Sequence, residues 1–222
     1  MCGITGILDF RKSIDEGILR SMTDALSHRG PDDSGIYIDP GSRLGFGHRR
    51  LSILDLSPLG HQPMSNDDGS IWITYNGEVY NFSQIRDELI KKGHAFKSNT
   101  DTEVIIKSYE AWGMECVHRF IGMFALGIWD KREKKLILLR DRAGVKPLYY
   151  YCGDDVFLFG SELKALMKHP DFIRDIDHDA LALYLRYGYT PAPYTIFKNT
   201  FKLMPGHYIT VRDGGRLEET KY

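Results

Sequence analysis

The first residue of this chain with chemistry to offer is a cysteine at position two. Once Met1 is trimmed, Cys2 carries a thiol and a free α-amine together, a nucleophile with a candidate base on the same residue. An α-amine titrates near ~7.7–8.0 and a free thiol near ~8.5, so the amine can take the thiol proton close to neutral pH without a histidine. The ordinary reading of the same cysteine is a small apolar residue near a frayed terminus. It gives way only if the chain also supplies donors for an oxyanion and groups that hold a substrate.

Several residues could do so. Asn76-Gly77 is the commonest hairpin-turn dipeptide, but the Asn76 amide and the Gly77 N–H could also donate to a developing oxyanion. Arg50 lies in a strand-like run, where an arginine is usually solvated; its other use is a bidentate clamp on a carboxylate. Glu78 reads as a loop charge and Asp101 as an acid in the first turn of a helix. Each can equally hold an ammonium group. One cation and two anions are what a zwitterionic amino-acid head group needs.

These residues require elements to position them. Residues 4–10 read as a strand, and Ile18, Leu19, Met22, Ala25 and Leu26 as one face of a helix over 13–26. His28-Arg29-Gly30-Pro31 ends it in a turn. Strand patterns follow at 43–53 and 71–75. Asn81 with Gln84 and Thr100 with Glu103 have the spacing of capping boxes at the starts of two helices. Residues 120–129 form an apolar run, as in a strand covered on both faces, and pair across a charged turn with 136–139. A second hairpin joins 149–151 to 156–160. Helices are expected over 162–168 and after Asp177, the latter carrying Leu181, Tyr184 and Leu185, and the last strand over 207–212. The pattern predicts an α+β fold, with two mostly antiparallel sheets and helices packed outside them.

The chain has 222 residues, 42% of them hydrophobic and 27% charged, with a net charge of −1. That suits a globular unit and gives no electrostatic reason to expect nucleic acid or an anionic membrane surface as partner. No apolar run is long enough to span a bilayer. Cys2, Cys116 and Cys152 are odd in number with no signal peptide before them, which points to the cytoplasm. The histidines do not pair with them at zinc-ligand spacing, so no metal is expected.

Met1-Cys2-Gly3-Ile4, His28-Arg29-Gly30-Pro31-Asp32, Arg50-Leu51-Ser52-Ile53, Asn76-Gly77-Glu78-Val79-Tyr80-Asn81 and Thr100-Asp101-Thr102-Glu103 resemble, in this order, the motifs of class II glutamine amidotransferase domains. These are N-terminal-nucleophile hydrolases, and the match is to the asparagine synthetase type. Arg142 to Tyr149 and Ser161 to Leu166 extend the likeness. The resemblance implies a four-layer αββα sandwich and L-glutamine as substrate. It implies Cys2 as nucleophile with its own α-amine as base, and Asn76 and Gly77 as the oxyanion hole. Arg50 would bind the α-carboxylate, Glu78 and Asp101 the α-ammonium, and backbone groups of Leu51 and Ile53 would line the pocket.

The family's ammonia normally passes to an ATP-dependent synthetase domain or chain. The Ser-Gly-Gly-x-Asp-Ser phosphate-binding loop of that domain does not occur in this sequence, so ATP and magnesium are expected only in such a partner, with no cofactor here. The expected division is a glutaminase domain over 2–212 and the start of a linker over 213–222, with a homodimer among the arrangements open to it. Two other readings stand beside this one. The ammonia could serve another acceptor, such as a sugar in surface-polysaccharide biosynthesis, or the domain could be an inactive scaffold if Met1 is retained.

Overall fold

The computed structural model describes residues 1–39, 41–53 and 55–222. In chain order the elements are β1 (Gly3–Asp9), α1 (Glu16–Asp24), β2 (Asp33–Asp39), β3 (Leu44–Arg50), β4 (Met64–Ser65), β5 (Ile71–Val79), α2 (Phe82–Lys91), α3 (Asp101–Trp112), β6 (Gly122–Asp130), β7 (Lys135–Arg140), β8 (Tyr149–Cys152), β9 (Val156–Gly160), α4 (Leu163–Leu166), α5 (His178–Tyr187), β10 (Thr200–Lys202), β11 (His207–Arg212) and β12 (Leu217–Lys221). The strands form two six-stranded sheets, ordered β10-β8-β9-β1-β3-β2 and β12-β11-β7-β6-β5-β4. Every strand pairing is antiparallel.

Three apolar layers separate four layers of structure. Between the sheets, Ile4, Leu44 and Phe46 meet Trp129, Leu136, Leu138 and Val211. On the outside of one sheet, Leu19, Met22 and Leu26 pack with Leu166 against Ile7 and Leu158. Outside the other, Ile85 and Leu89 of α2 and Val104 and Ile105 of α3 cover Ile73, Leu126 and Ile137. β6 and β7 are central in their sheet and buried on both faces, which is why their sequences run apolar without alternation. This is a four-layer αββα sandwich, as the family resemblance implies.

The details differ in instructive places. β3 ends at Arg50 rather than continuing to Ile53, and β5 runs on through Asn76-Gly77 to Val79. Asn76-Gly77 is therefore strand, not turn. Gly77 is needed there because a Cβ would lie 2.4 Å from the Met123 carbonyl oxygen and 2.6 Å from Phe124 Cα on β6. The capping box at Asn81 does not form: its side chain instead donates to the Arg119 carbonyl and accepts from the Ile121 N–H. At Thr100 half of the box forms, with Thr100 Oγ1 accepting from the Glu103 N–H at 3.2 Å. The polar stretch after Arg212, expected as the start of a linker, contributes β12, which pairs with β11 along 217–221. Leu185 and Tyr184 of α5 are exposed, and Ala180 is that helix's buried residue. Among the described residues no helix is long and apolar enough to cross a membrane.

Candidate active site

The cleft lies where the start of β1, the end of β3 and the last third of β5 converge. β1 begins against β3, with Gly3 opposite Arg49, and this places Cys2 beside the chain as it leaves Arg50. The Cys2 thiol sits 3.4 Å from the Leu51 N–H and 3.7 Å from the Leu51 carbonyl oxygen. Arg29, in the turn after α1, donates to the Cys2 carbonyl at 2.9 Å. Its other end is held by Glu162, at 2.9 Å from Arg29 Nη1. Burial would raise the Glu162 carboxyl, but hydrogen bonds from Arg29, His28 and Lys164 prevail and hold it at about 2. The Cys2 backbone is thus fixed by a charged pair that stays ionised across the physiological range.

A cavity of about 250 Å³ opens in front of the sulfur, the size of a site for a small molecule. All eight residues singled out in the sequence line it: Cys2, Arg50, Leu51, Ile53, Asn76, Gly77, Glu78 and Asp101. Arg50 is not a solvated strand residue. It is 7% exposed, and its guanidinium donates to the carbonyls of Asp55 and Ser57 in the following loop. Gly60 makes room for it, since a Cβ there would fall 2.0 Å from Arg50 Nη2.

On the facing wall Asn76 is 1% exposed, and its Nδ2 has no hydrogen-bond partner among the described residues. Leaving a buried amide donor unmade costs roughly 1–3 kcal/mol, so an orphan of this kind aimed into a cleft is a donor waiting for an acceptor. Asp101 Oδ2 accepts from the Tyr75 hydroxyl at 2.6 Å and from the Val79 N–H at 3.0 Å. Burial raises the Asp101 carboxyl above its usual range against the pull of those donors. Glu78 is half-buried, and its carboxylate makes no hydrogen bond or ion pair among the described residues.

The thiol itself is pushed up by burial. The Leu51 N–H opposes this, as do the positive charges of the N-terminal amine, Arg50 and Lys146. Underneath, His48 joins the two sheets by a 3.0 Å contact from Nε2 to the Tyr75 carbonyl. Burial lowers its pKa to about 4, so it is a neutral imidazole. It is placed as a strut rather than as the base. Among the other residues that line the cavity are Tyr75, Gln62 and Lys146, to which the sequence reading gave no site role, with His48 beneath them. Gln62 receives the Tyr75 N–H at 2.8 Å and reaches Thr102 at 3.3 Å. Periodicity hides them, because each reads as an ordinary strand or loop residue until the fold closes. Among the described residues no group of His, Cys, Asp or Glu is placed to hold a metal ion.

A half-buried Cys2 thiol and a buried Asn76 Nδ2 without a hydrogen-bond partner among the described residues thus line one cleft of the αββα sandwich. The chain belongs to the glutamine amidotransferase domain family, whose model matches residues 1–222. It is similar to glutamine-hydrolysing asparagine synthetase 3 of Bacillus subtilis, at 40% identity over 220 residues, covering 97% of this chain and 35% of that protein. Against glutamine-hydrolysing asparagine synthetase 1 of the same organism the identity is 38%, covering 100% of this chain and 35% of that protein. The chain therefore spans about a third of the length of these relatives. The fold is also that of the glutamine phosphoribosylpyrophosphate amidotransferase of B. subtilis, with a TM-score of 0.71 over 99% of this chain and 49% of that one, at 19% identity.

Proposed function

We propose that this chain is the glutaminase unit of an asparagine synthetase-type enzyme, hydrolysing L-glutamine to glutamate and ammonia through a Cys2 thioester. The observation that carries the reading is the pairing of the Cys2 thiol with the unpartnered Asn76 Nδ2 in one cleft. Arg50 lies at one side of that cleft, and Glu78 and Asp101 at the other.

Removal of Met1 frees the Cys2 α-amine, which accepts the thiol proton. The sulfur attacks the side-chain amide carbon of glutamine. The resulting oxyanion receives the Asn76 Nδ2–H and the Gly77 N–H, which are in place before the charge develops. Collapse breaks the C–N bond, and the leaving nitrogen takes the proton held by the amine and departs as ammonia. Water, deprotonated by the same amine, cleaves the thioester to release glutamate and return the thiol. Arg50 binds the α-carboxylate, Glu78 and Asp101 bind the α-ammonium, and Leu51 and Ile53 bound the pocket.

The ammonia passes to an ATP-dependent synthetase partner, to which ATP and magnesium belong. The relatives' names as asparagine synthetases support aspartate amidation as the acceptor chemistry, and β12 extends the glutaminase unit past Arg212. Cys2→Ala tests the core of this. Ammonia release from glutamine should vanish while the thermal transition stays in place. Undiminished release would mean that another group is the nucleophile.

A further inference from the structure

Lys146 is a buried cation for which the fold gives no structural partner. It is 5% exposed and lines the same cleft as Cys2, yet its ammonium makes no ion pair or hydrogen bond among the described residues. Lysines are almost never this buried unless paired, and an unpaired buried charge is costly. The nearest acid in sequence, Asp141, is already engaged. It is fully buried and accepts four backbone N–H groups: Phe124 at 3.2 Å, Ala143 at 3.1 Å, Val145 at 2.9 Å and Lys146 at 3.0 Å. Arg140 grips the same turn from the other side, donating to the carbonyls of Lys146 at 2.8 Å and Gly144 at 2.7 Å. Gly144 adopts a φ of +64°, which lets the turn close between these two side chains. Two oppositely charged residues are thus committed to holding the backbone of Lys146, and the side chain so held ends in the cleft.

We propose that Lys146 is a positioning residue of the glutaminase reaction, a fixed ammonium that makes the Cys2 sulfur easier to ionise and the freed α-amine harder to protonate. The inference rests on the reading of Cys2 as nucleophile. A nearby cation favours the charged form of a thiol and the neutral form of an amine, so one charge serves both halves of the same residue. Its effect on the thiol acts in the lowering direction, beside those of the N-terminal amine and Arg50. Arg50 is engaged by loop carbonyls and by the substrate carboxylate, and the titratable groups across the cleft are Glu78, Asp101 and the neutral phenol of Tyr75. Of the two side-chain cations, Lys146 is the one whose ammonium neither a carbonyl nor an acid claims among the described residues.

The test uses the processed full chain as wild type, Lys146→Met and Lys146→Arg. The rate of iodoacetamide alkylation at Cys2 is followed against pH by intact mass and peptide mapping. Lys146→Met should move the alkylation midpoint up by about one pH unit and slow alkylation near neutral pH by about tenfold. It should also lower kcat for glutamine more than it raises KM. Lys146→Arg should keep the wild-type midpoint. A Lys146→Met protein that is folded and titrates like wild type overturns the proposal. Lys146→Gln gives the same reading if the Met variant does not fold. Failure of both neutral variants to fold, with Lys146→Arg normal, overturns it in favour of a structural lysine. A wild type whose Cys2 does not titrate as a reactive thiol at all contradicts the glutaminase reading instead.

Discussion

Asp101 and Glu103 stand two residues apart in the first turn of α3, both more than nine-tenths buried, and their carboxylates meet different surroundings. Glu103 faces inward to a closed knot. Its oxygens accept the Lys97 N–H at 2.8 Å, the Ser98 N–H at 2.7 Å and the Ser98 hydroxyl at 2.7 Å, and that hydroxyl lies 2.8 Å from Thr100 Oγ1. Asp101 faces the cleft, braced by Tyr75 and Val79 on one oxygen. Nearby in that cleft the Asn76 Nδ2 has no hydrogen-bond partner among the described residues. A polar cluster that satisfies itself holds the chain in place. A polar cluster left incomplete is held open for a ligand, at a standing cost to stability. The same helix start serves both, because its first turn projects successive side chains in different directions.

The largest effect should come from filling the incomplete side. Asn76→Ala removes the proposed oxyanion donor and should lower kcat for glutamine by roughly 10²–10³-fold. Because it deletes an orphan rather than a bonded group, the thermal midpoint should hold or rise. A change confined to KM would assign Asn76 to substrate binding instead.

The paired substitutions Glu103→Gln and Asp101→Asn address the comparison directly. Glu103→Gln puts an amide NH2 where the knot supplies only donors, and should cost about 2 kcal/mol, or several degrees in Tm for a domain of this size. KM below the transition should be unchanged. Asp101→Asn keeps an oxygen for Tyr75 and Val79 but loses the carboxylate proposed to hold the substrate ammonium. It should raise KM for glutamine with little change in Tm. The reverse outcome, with Glu103→Gln altering KM and Asp101→Asn unfolding the protein, would break the contrast.

A smaller, pH-dependent effect belongs to the strut beneath the cleft. Unfolded, His48 takes a proton near pH 6.5; folded, burial delays this to about 4. Between those values the unfolded state binds more protons, so stability is full above about 6.5 and declines as pH falls towards 4, by up to about 3 kcal/mol. His48→Gln should flatten that part of the acid limb in denaturation curves compared with wild type. An unchanged slope would mean that His48 is not the group responsible.

Much of this architecture is legible in the sequence where local chemistry agrees with the fold. The apolar runs of β6 and β7, the Thr100 and Asp177 caps and the hairpin of β8 and β9 all follow from pattern alone. β2, β4, β10 and β12 do not, because each is a short or polar strand defined by its neighbour rather than by its own residues. Asn81 shows the same limit in reverse. Its local capping signal is overridden by the chain at Arg119 and Ile121, which offers its side chain better partners. In the site, the motif residues came with the family resemblance, and the cleft gathers all of them. Tyr75, Gln62 and His48 were illegible because their meaning lies in contacts across 13 to 27 residues of chain, as when Gln62 or His48 meets Tyr75; Lys146, inside the Arg142–Tyr149 likeness, carried no role until the fold set it with Cys2 in one cavity.

The central claim is that Cys2, freed of Met1, is the nucleophile for glutamine. Intact-mass analysis of the purified chain, before and after treatment with a glutamine-analogue thiol alkylator, tests it in one measurement. The account expects the mass of the chain without Met1, a single adduct that maps to Cys2, and protection of Cys2 by excess glutamine, with Cys116 and Cys152 unmodified because burial pushes their thiols up to about 12 and about 11. A retained Met1 with no adduct, or an adduct on Cys116 or Cys152 in its place, would contradict it.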